Sequence, residues 1–134
     1  MSVSRGDSEE YVLAATLYAE ARGEGVRGMT AAGAVIRRRA SLNRSYWGGS
    51  QIKDVCLHPW QFECWNGRDS IRVDETHAFE QALDVARKII SGNFRDETGG
   101  ADHYNNPDKE GYPEWTRNCN MTVKIGNHQF YKSK

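Results

Sequence analysis

From Asp74 to Gly92 the apolar residues Ala78, Phe79, Ala82, Leu83, Ala86, Ile89 and Ile90 recur at i, i+1, i+4 and i+5 spacing, and no other stretch constrains the fold as strongly. That period fits a helix and no strand, and its apolar stripe needs a partner surface. Asp74 is expected to cap it and Gly92 to stop it, in the left-handed conformation that glycine adopts without strain. Upstream, Asp7 and Glu10 form a D-x-x-E start signal, after which Leu13, Leu17 and the intervening alanines predict a helix running up to Gly23. A second helix is predicted over about residues 26–40, with the small face Met29, Ala32, Gly33 and Ile36 set for close packing. The run Arg37, Arg38, Arg39 suits its negative dipole end.

Residues 41–73 lose this period and hold Trp47, Trp60 and Trp65, three of the chain's four tryptophans, so the stretch reads as an irregular surface loop with a function. The tail MTVKIGNHQFYK places two β-prone runs around Gly126-Asn127, a pair that a tight hairpin turn accepts. The expected fold class is α+β, mainly helical, with a small antiparallel sheet or hairpin. One domain over residues 1–134, with a core of about 8–132, is long enough to bury roughly two-thirds of its unfolded surface. The hydrophobic fraction of 38% and mean hydropathy of −0.76 are low, but the apolar residues gather into periodic segments, unlike those of a disordered chain.

Eighteen basic and eighteen acidic side chains cancel, so no global field draws the protein to nucleic acid or anionic lipid, and neither partner is expected. The chain is expected to work as a monomer. The polar start MSVSRGDSEE and the lack of an apolar run of ~18 residues predict cytoplasmic synthesis without a signal peptide and no membrane insertion. Cys56, Cys64 and Cys119 are an odd count with no C-x-x-C pair, so at least one thiol should be free. With no H-E-x-x-H and no phosphate-cradling signature in TGGA, no metal and no cofactor are expected. Cys64 acting with His103 as a nucleophile would need a fold that joins them; otherwise it is a small buried hydrophobe.

Glu20 lies seven residues after Leu13 and three after Leu17, so the helical period puts a carboxylate on the apolar face. Desolvation there raises its pKa and keeps a proton available for general acid catalysis. The competing reading is an ion pair with Arg22 or Arg39. Glu24, just beyond Gly23, is either a second functional carboxylate or a solvated one. The rings of Trp47, Trp60, Phe62, Trp65, Tyr104, Tyr112 and Trp115 flank irregular segments. Singly each suits a core plug; together they resemble a sugar groove, and Trp115 is taken as one of its binding residues.

The run Leu17-Tyr18-Ala19-Glu20-Ala21-Arg22-Gly23-Glu24 resembles the E-A-R-G-E signature of the SleB/CwlJ-like cell wall hydrolases, a family of spore-cortex lytic enzymes and related phage and prophage lysins. AAGAVIRRR, DVCLHPWQFECWNG, DETGGADHYNNP and VKIGNHQFYK resemble further blocks of that family in the same order, covering about residues 13–132. The resemblance implies a lysozyme-like or lytic-transglycosylase-like helical part that cleaves the β-1,4 bond between N-acetylmuramic acid and N-acetylglucosamine in peptidoglycan. It implies that Glu20 is the catalytic acid and Glu24 a neighbouring site residue. It further implies that Gln61 and Phe62 line the glycan groove, that Tyr104 and Asn106 face it from the opposite wall, and that His128 is structural. Cys56, Trp60, Cys64 and Trp65 resemble the phage-associated branch, for which delivery to the wall through a membrane lesion or within a phage particle is expected. Hydrolysis needs a second carboxylate. Glu24 is the only acid near Glu20 in sequence, and Asp96, Glu97 and Asp102 are the distant candidates; without such a partner, transglycosylation is expected. A non-catalytic glycan-binding module and a zinc amidase are the alternatives.

Overall fold

The computed structural model describes all of residues 1–134. Its first long helix, α1 (Glu9–Ala21), is the hub. Residues 12–18 are all buried, so α1 is enclosed on every side rather than along one stripe. Helix α2 (Gly25–Leu42) and helix α4 (Thr76–Ser91) pack on it, and the short α3 (Ile52–Leu57) closes a further side. The start of α1 differs from expectation. Ser8 is the cap, accepting from the Tyr11 amide at 3.4 Å, while Asp7 turns back to accept from the Ser4 amide at 2.8 Å. The helix also ends two residues before Gly23, and a 3-10 turn over Arg22–Glu24 follows.

Helix α2 is buried on two faces. Met29, Ala32, Ile36 and Ala40 join the main core with α1 and α4. Ala31 and Val35 join a second cluster with Ala101, Ile125 and Phe130, beneath a three-stranded antiparallel sheet. That sheet runs β3 (His103–Asn105), β5 (His128–Ser133), β4 (Cys119–Ile125) in spatial order. The β4–β5 hairpin turns at Gly126-Asn127 as the sequence predicts, with Gly126 at φ 58°. A second, two-stranded sheet pairs β1 (Ser2–Ser4) with β2 (Ser70–Arg72) and buries Val3 and Ile71. No helix is long and apolar enough to cross a membrane.

Residues 41–73 are more ordered than a surface loop. They hold α3, β2 and two 3-10 turns, and Val55, Cys56, Phe62 and Trp65 are buried. Trp65 is a core plug, its Nε1 donating to Thr16 Oγ1 at 2.9 Å, and Thr16 in turn donates to the Val12 carbonyl. Helix α4 is capped at Gly92 in the left-handed conformation, as expected. Its N-cap is Glu75, not Asp74: the Asp74 carboxylate is turned toward Arg72, and the Tyr18 hydroxyl accepts from the Glu75 amide at 3.0 Å.

Gly33 sits where the three long helices meet. A Cβ there would lie 2.7 Å from Ile89 Cγ1 and 3.6 Å from Leu17 Cδ1, so glycine sets the α2–α4 distance. Gly33→Ala gains about 1 kcal/mol of helix propensity, but Ile89 is fully buried, and overpacking costs about 1–3 kcal/mol. We expect a net loss of about 1 kcal/mol in denaturant unfolding at unchanged slope. A more stable variant would show that Ile89 has room to move.

Candidate active site

Glu20 stands on the last turn of α1, where the hub helix reaches a cleft of about 500 Å³. One wall comes from residues 60–66, the other from β3, the short helix α5 (Pro107–Glu110) and His128 at the start of β5. Of the residues singled out from sequence, Glu20, Gln61, Phe62, Tyr104 and Asn106 all line this cleft. Trp115 does not; it lines an adjoining cavity of about 430 Å³ with Trp47 and His103, and the two spaces share Arg39, Trp60, Gln61, Tyr104 and Glu110.

Glu20 is half-buried, and the Tyr104 hydroxyl donates to its Oε1 at 3.5 Å. Burial pushes the carboxyl pKa up, hydrogen bonds from Cys64 and Tyr104 pull against that rise, and the negative charges of Glu63 and Glu110 add to it. Burial and the neighbouring Glu20 also push the Tyr104 phenol up, so it stays a donor. Neither arginine pairs with Glu20. Arg22 bonds Glu75, and Arg39 is committed elsewhere.

Arg39 is the main residue missed from sequence. It is buried, its Nε donating to the Asp102 carbonyl at 2.7 Å and its Nη1 to Gln61 Oε1 at 2.9 Å. It also lies over the rings of Trp47 and Phe62 at 5.1 and 6.0 Å. One guanidinium therefore ties α2 to both walls. Its place in a run of three arginines reads as a solvated helix end, yet Ala32, Ile36 and Arg39 share one helical face, and that spacing is the signal of burial.

Glu24 lies apart from the cleft lining. The 3-10 turn Arg22–Glu24 separates Glu24 from the helix that carries Glu20, so the two are not neighbours on successive turns of one helix. Glu24 Oε1 accepts from the Asn127 amide at 3.2 Å, and its carboxylate lies where a side chain on Gly126 would stand. It fastens the hairpin tip to the α1–α2 corner. The distant acids are also engaged elsewhere. Asp96 accepts from Thr98, Glu97 pairs with Arg27 at 3.3 Å, and Asp102 is buried against His103 Nδ1 at 2.8 Å. The further carboxylates in the cleft are Glu63 and Glu110, both exposed, which chain proximity to Glu20 does not single out. His128 is buried, packs edge-on to Tyr104 at 5.0 Å and leaves Nδ1 without a protein partner. All three cysteines are free, and Cys64 lies next to Glu20 rather than His103.

Residues 23–131 match the family model described as Cell Wall Hydrolase, a span that begins just after Glu20. The catalytic domain of the germination-specific lytic transglycosylase SleB from Bacillus anthracis superposes with a TM-score of 0.73 at 29% identity, covering 97% of this chain and 100% of that one. The catalytic domain of the Bacillus cereus SleB protein does so with a TM-score of 0.69 at 30% identity, covering 92% and 89%. No curated protein matches the chain.

The groups around Glu20 predict how its proton responds to substitution. In carboxyl-carbon NMR titrations Glu20 should titrate above the usual glutamate range. Tyr104→Phe removes a donor to the charged form and should raise the value further, whereas Glu110→Gln removes a negative neighbour and should lower it. The Glu110 effect should shrink with added salt, since that side chain is exposed. An ordinary glutamate titration would overturn this account of the site.

Proposed function

The chain belongs to the cell wall hydrolase family, and from that premise we propose that it degrades peptidoglycan as a lytic transglycosylase, cutting the β-1,4 bond between N-acetylmuramic acid and N-acetylglucosamine. The observation that carries the reading is a half-buried carboxyl, Glu20, on a helix end at the wall of a polar and aromatic cleft, where burial raises its pKa. The likeness to a domain titled a lytic transglycosylase, across nearly the whole of both chains, supports the same chemistry.

Glu20 donates its proton to the glycosidic oxygen as the C1–O bond breaks and positive charge develops on the muramoyl ring. The N-acetylglucosamine side leaves as the alcohol. The muramoyl 6-hydroxyl then attacks C1 and gives its proton to the Glu20 carboxylate, which restores the acid and closes a 1,6-anhydro ring with no water consumed. The Tyr104 hydroxyl and the Cys64 thiol hold the Glu20 carboxyl in place at the cleft wall. Arg39 fixes Gln61, so the groove wall meets the sugar hydroxyls already ordered. Glu24 acts as a positioning residue by holding the hairpin on which His128 stands.

Hydrolysis of the same bond is the second reading, favoured by the presence of Glu63 and Glu110 in the cleft. Both side chains are exposed, and Glu110 Oε1 is engaged by the Asn106 amide at 3.1 Å. A substrate-derived nucleophile needs neither. The resemblance of residues 56–65 to phage-associated relatives supports a lysin setting, which lysis of permeabilised cells by the purified protein would test.

Glu20→Gln keeps shape but holds no transferable proton, so release of soluble fragments from purified cell walls should fall by about 10²–10⁴-fold with the fold intact. Mass spectrometry of wild-type digests should find ends in 1,6-anhydromuramic acid, one water lighter than hydrolysis products. Borohydride-reducible muramic ends as the main product, lost in Glu63→Gln or Glu110→Gln, would establish hydrolysis instead. Glu24→Gln should be the milder change, because an amide oxygen still accepts from Asn127.

A further inference from the structure

Trp60 carries two costs that the fold does not explain. Its side chain is 83% exposed, the highest value among the exposed large hydrophobics, and its backbone has φ 67°. The only other non-glycine residue with positive φ is Asn43, a type that tolerates it. The cause is the turn His58-Pro59-Trp60-Gln61, closed by the Gln61 amide donating to the His58 carbonyl at 3.2 Å. With proline second and positive φ third, this is the pattern of a type II turn, whose third position ordinarily takes glycine or asparagine. The Trp60 amide is further pinned to Asn66 Oδ1 at 3.1 Å, so the unfavourable backbone is held in place. Strain maintained in this way, on a side chain that contributes little to the core, is characteristic of binding surfaces.

The indole stands on the rim common to the Glu20 cleft and the adjoining cavity, where Trp115 stacks on His103 at 5.1 Å. A β-1,4-linked pyranose presents a flat face of C–H bonds that suits an exposed indole, and its edge hydroxyls would meet Gln61 and Asn66. We propose that Trp60 is a sugar-stacking platform, a substrate-binding residue that supports one ring of the strand and guides its continuation into the cavity of Trp47 and Trp115. The inference rests on the glycan-cleaving reading and adds a binding position at the junction of the catalytic cleft and the adjoining cavity. Long strands, which reach both spaces, gain from Trp60; short ones held only at Glu20 gain little.

The test uses Trp60→Gly and Trp60→Phe, each alone and with Glu20→Gln. Glycine suits the turn, so the melting temperature of Trp60→Gly should equal or exceed that of the parent. Binding of the β-1,4-linked N-acetylglucosamine hexamer to the Glu20→Gln protein, measured calorimetrically, should weaken about tenfold with Trp60→Gly and recover partly with Trp60→Phe. The trimer should lose less than the hexamer. On cell walls KM should rise about tenfold with kcat nearly unchanged. A folded Trp60→Gly protein that binds the hexamer as tightly as its parent, or equal losses for trimer and hexamer, would overturn the proposal. Wild-type protein that binds the hexamer through Trp60 yet cuts no peptidoglycan would overturn the catalytic reading and leave the platform standing.

Discussion

A helix enclosed on every side leaves few places for a charged group except its ends, and α1 places Glu20 at one of them. Along residues 12–18 its side chains are apolar apart from Thr16 and the Tyr18 hydroxyl. Both are satisfied, Thr16 by Val12 and Trp65, and Tyr18 by the amides that open α4. The carboxyl that follows inherits the low polarity of that interior on one side and meets the cleft on the other. Its readiness to hold a proton is therefore a by-product of where α1 is packed. The close approach at Gly33 and the Trp65 plug hold α1, and with it Glu20, in place without touching the cleft.

The opposing wall depends on a second device. β3 is a three-residue strand, too short to hold Tyr104 in place by itself. It is held by pairing with β5, by Ala31 and Val35 of α2 beneath the sheet, and by Arg39 bonded to the carbonyl of Asp102 just before the strand. A buried guanidinium is costly to desolvate, and leaving it unpaired is worse. Arg39 offsets that cost with two short hydrogen bonds and two aromatic faces, one set on each side of the groove. Moving either wall would strip the charge of partners, so the groove width is fixed by the same interactions that make burial of the arginine tolerable. Glu24 supplies the corresponding tie at the hairpin tip.

The parts legible in the sequence were those with a period or a turn signal of their own. α4 and its Gly92 stop, the second helix, the Gly126-Asn127 hairpin and the position of Glu20 on an apolar face all follow from spacing within one segment. The missed elements draw their stability from elsewhere in the chain. β1 and β2 are three residues each and exist because Val3 and Ile71 find a common core. Asp74 has the chemistry of a cap, but the Tyr18 hydroxyl already serves the neighbouring amides. For Arg39 it is the helical phase, shared with Ala32 and Ile36, and not the charge that carries the information about burial. Glu110 comes near Glu20 only after the sheet has folded against α2, and Glu63 only after the turn of Trp65 has packed on α1, so no local pattern marks them.

These two acids also add the smaller part of a balance between proton retention and proton release at Glu20. In the proposed mechanism Glu20 serves first as acid and later as base, so it needs a pKa raised enough to hold the proton before bond cleavage, yet a conjugate base stable enough to form. Burial, Glu63 and Glu110 act in the first direction, while the Tyr104 hydroxyl and the Cys64 thiol act in the second. Glu63 and Glu110 are exposed and screened by solvent ions, so their influence is weak and falls with added salt. The hydrogen bonds are short-range and move with the walls. A sugar entering the cleft would displace water from around Glu20 and strengthen both sets at once. The state of the proton is then coupled to occupancy of the groove, with burial of the α1 end the largest influence and the Cys64 and Tyr104 hydrogen bonds acting against it.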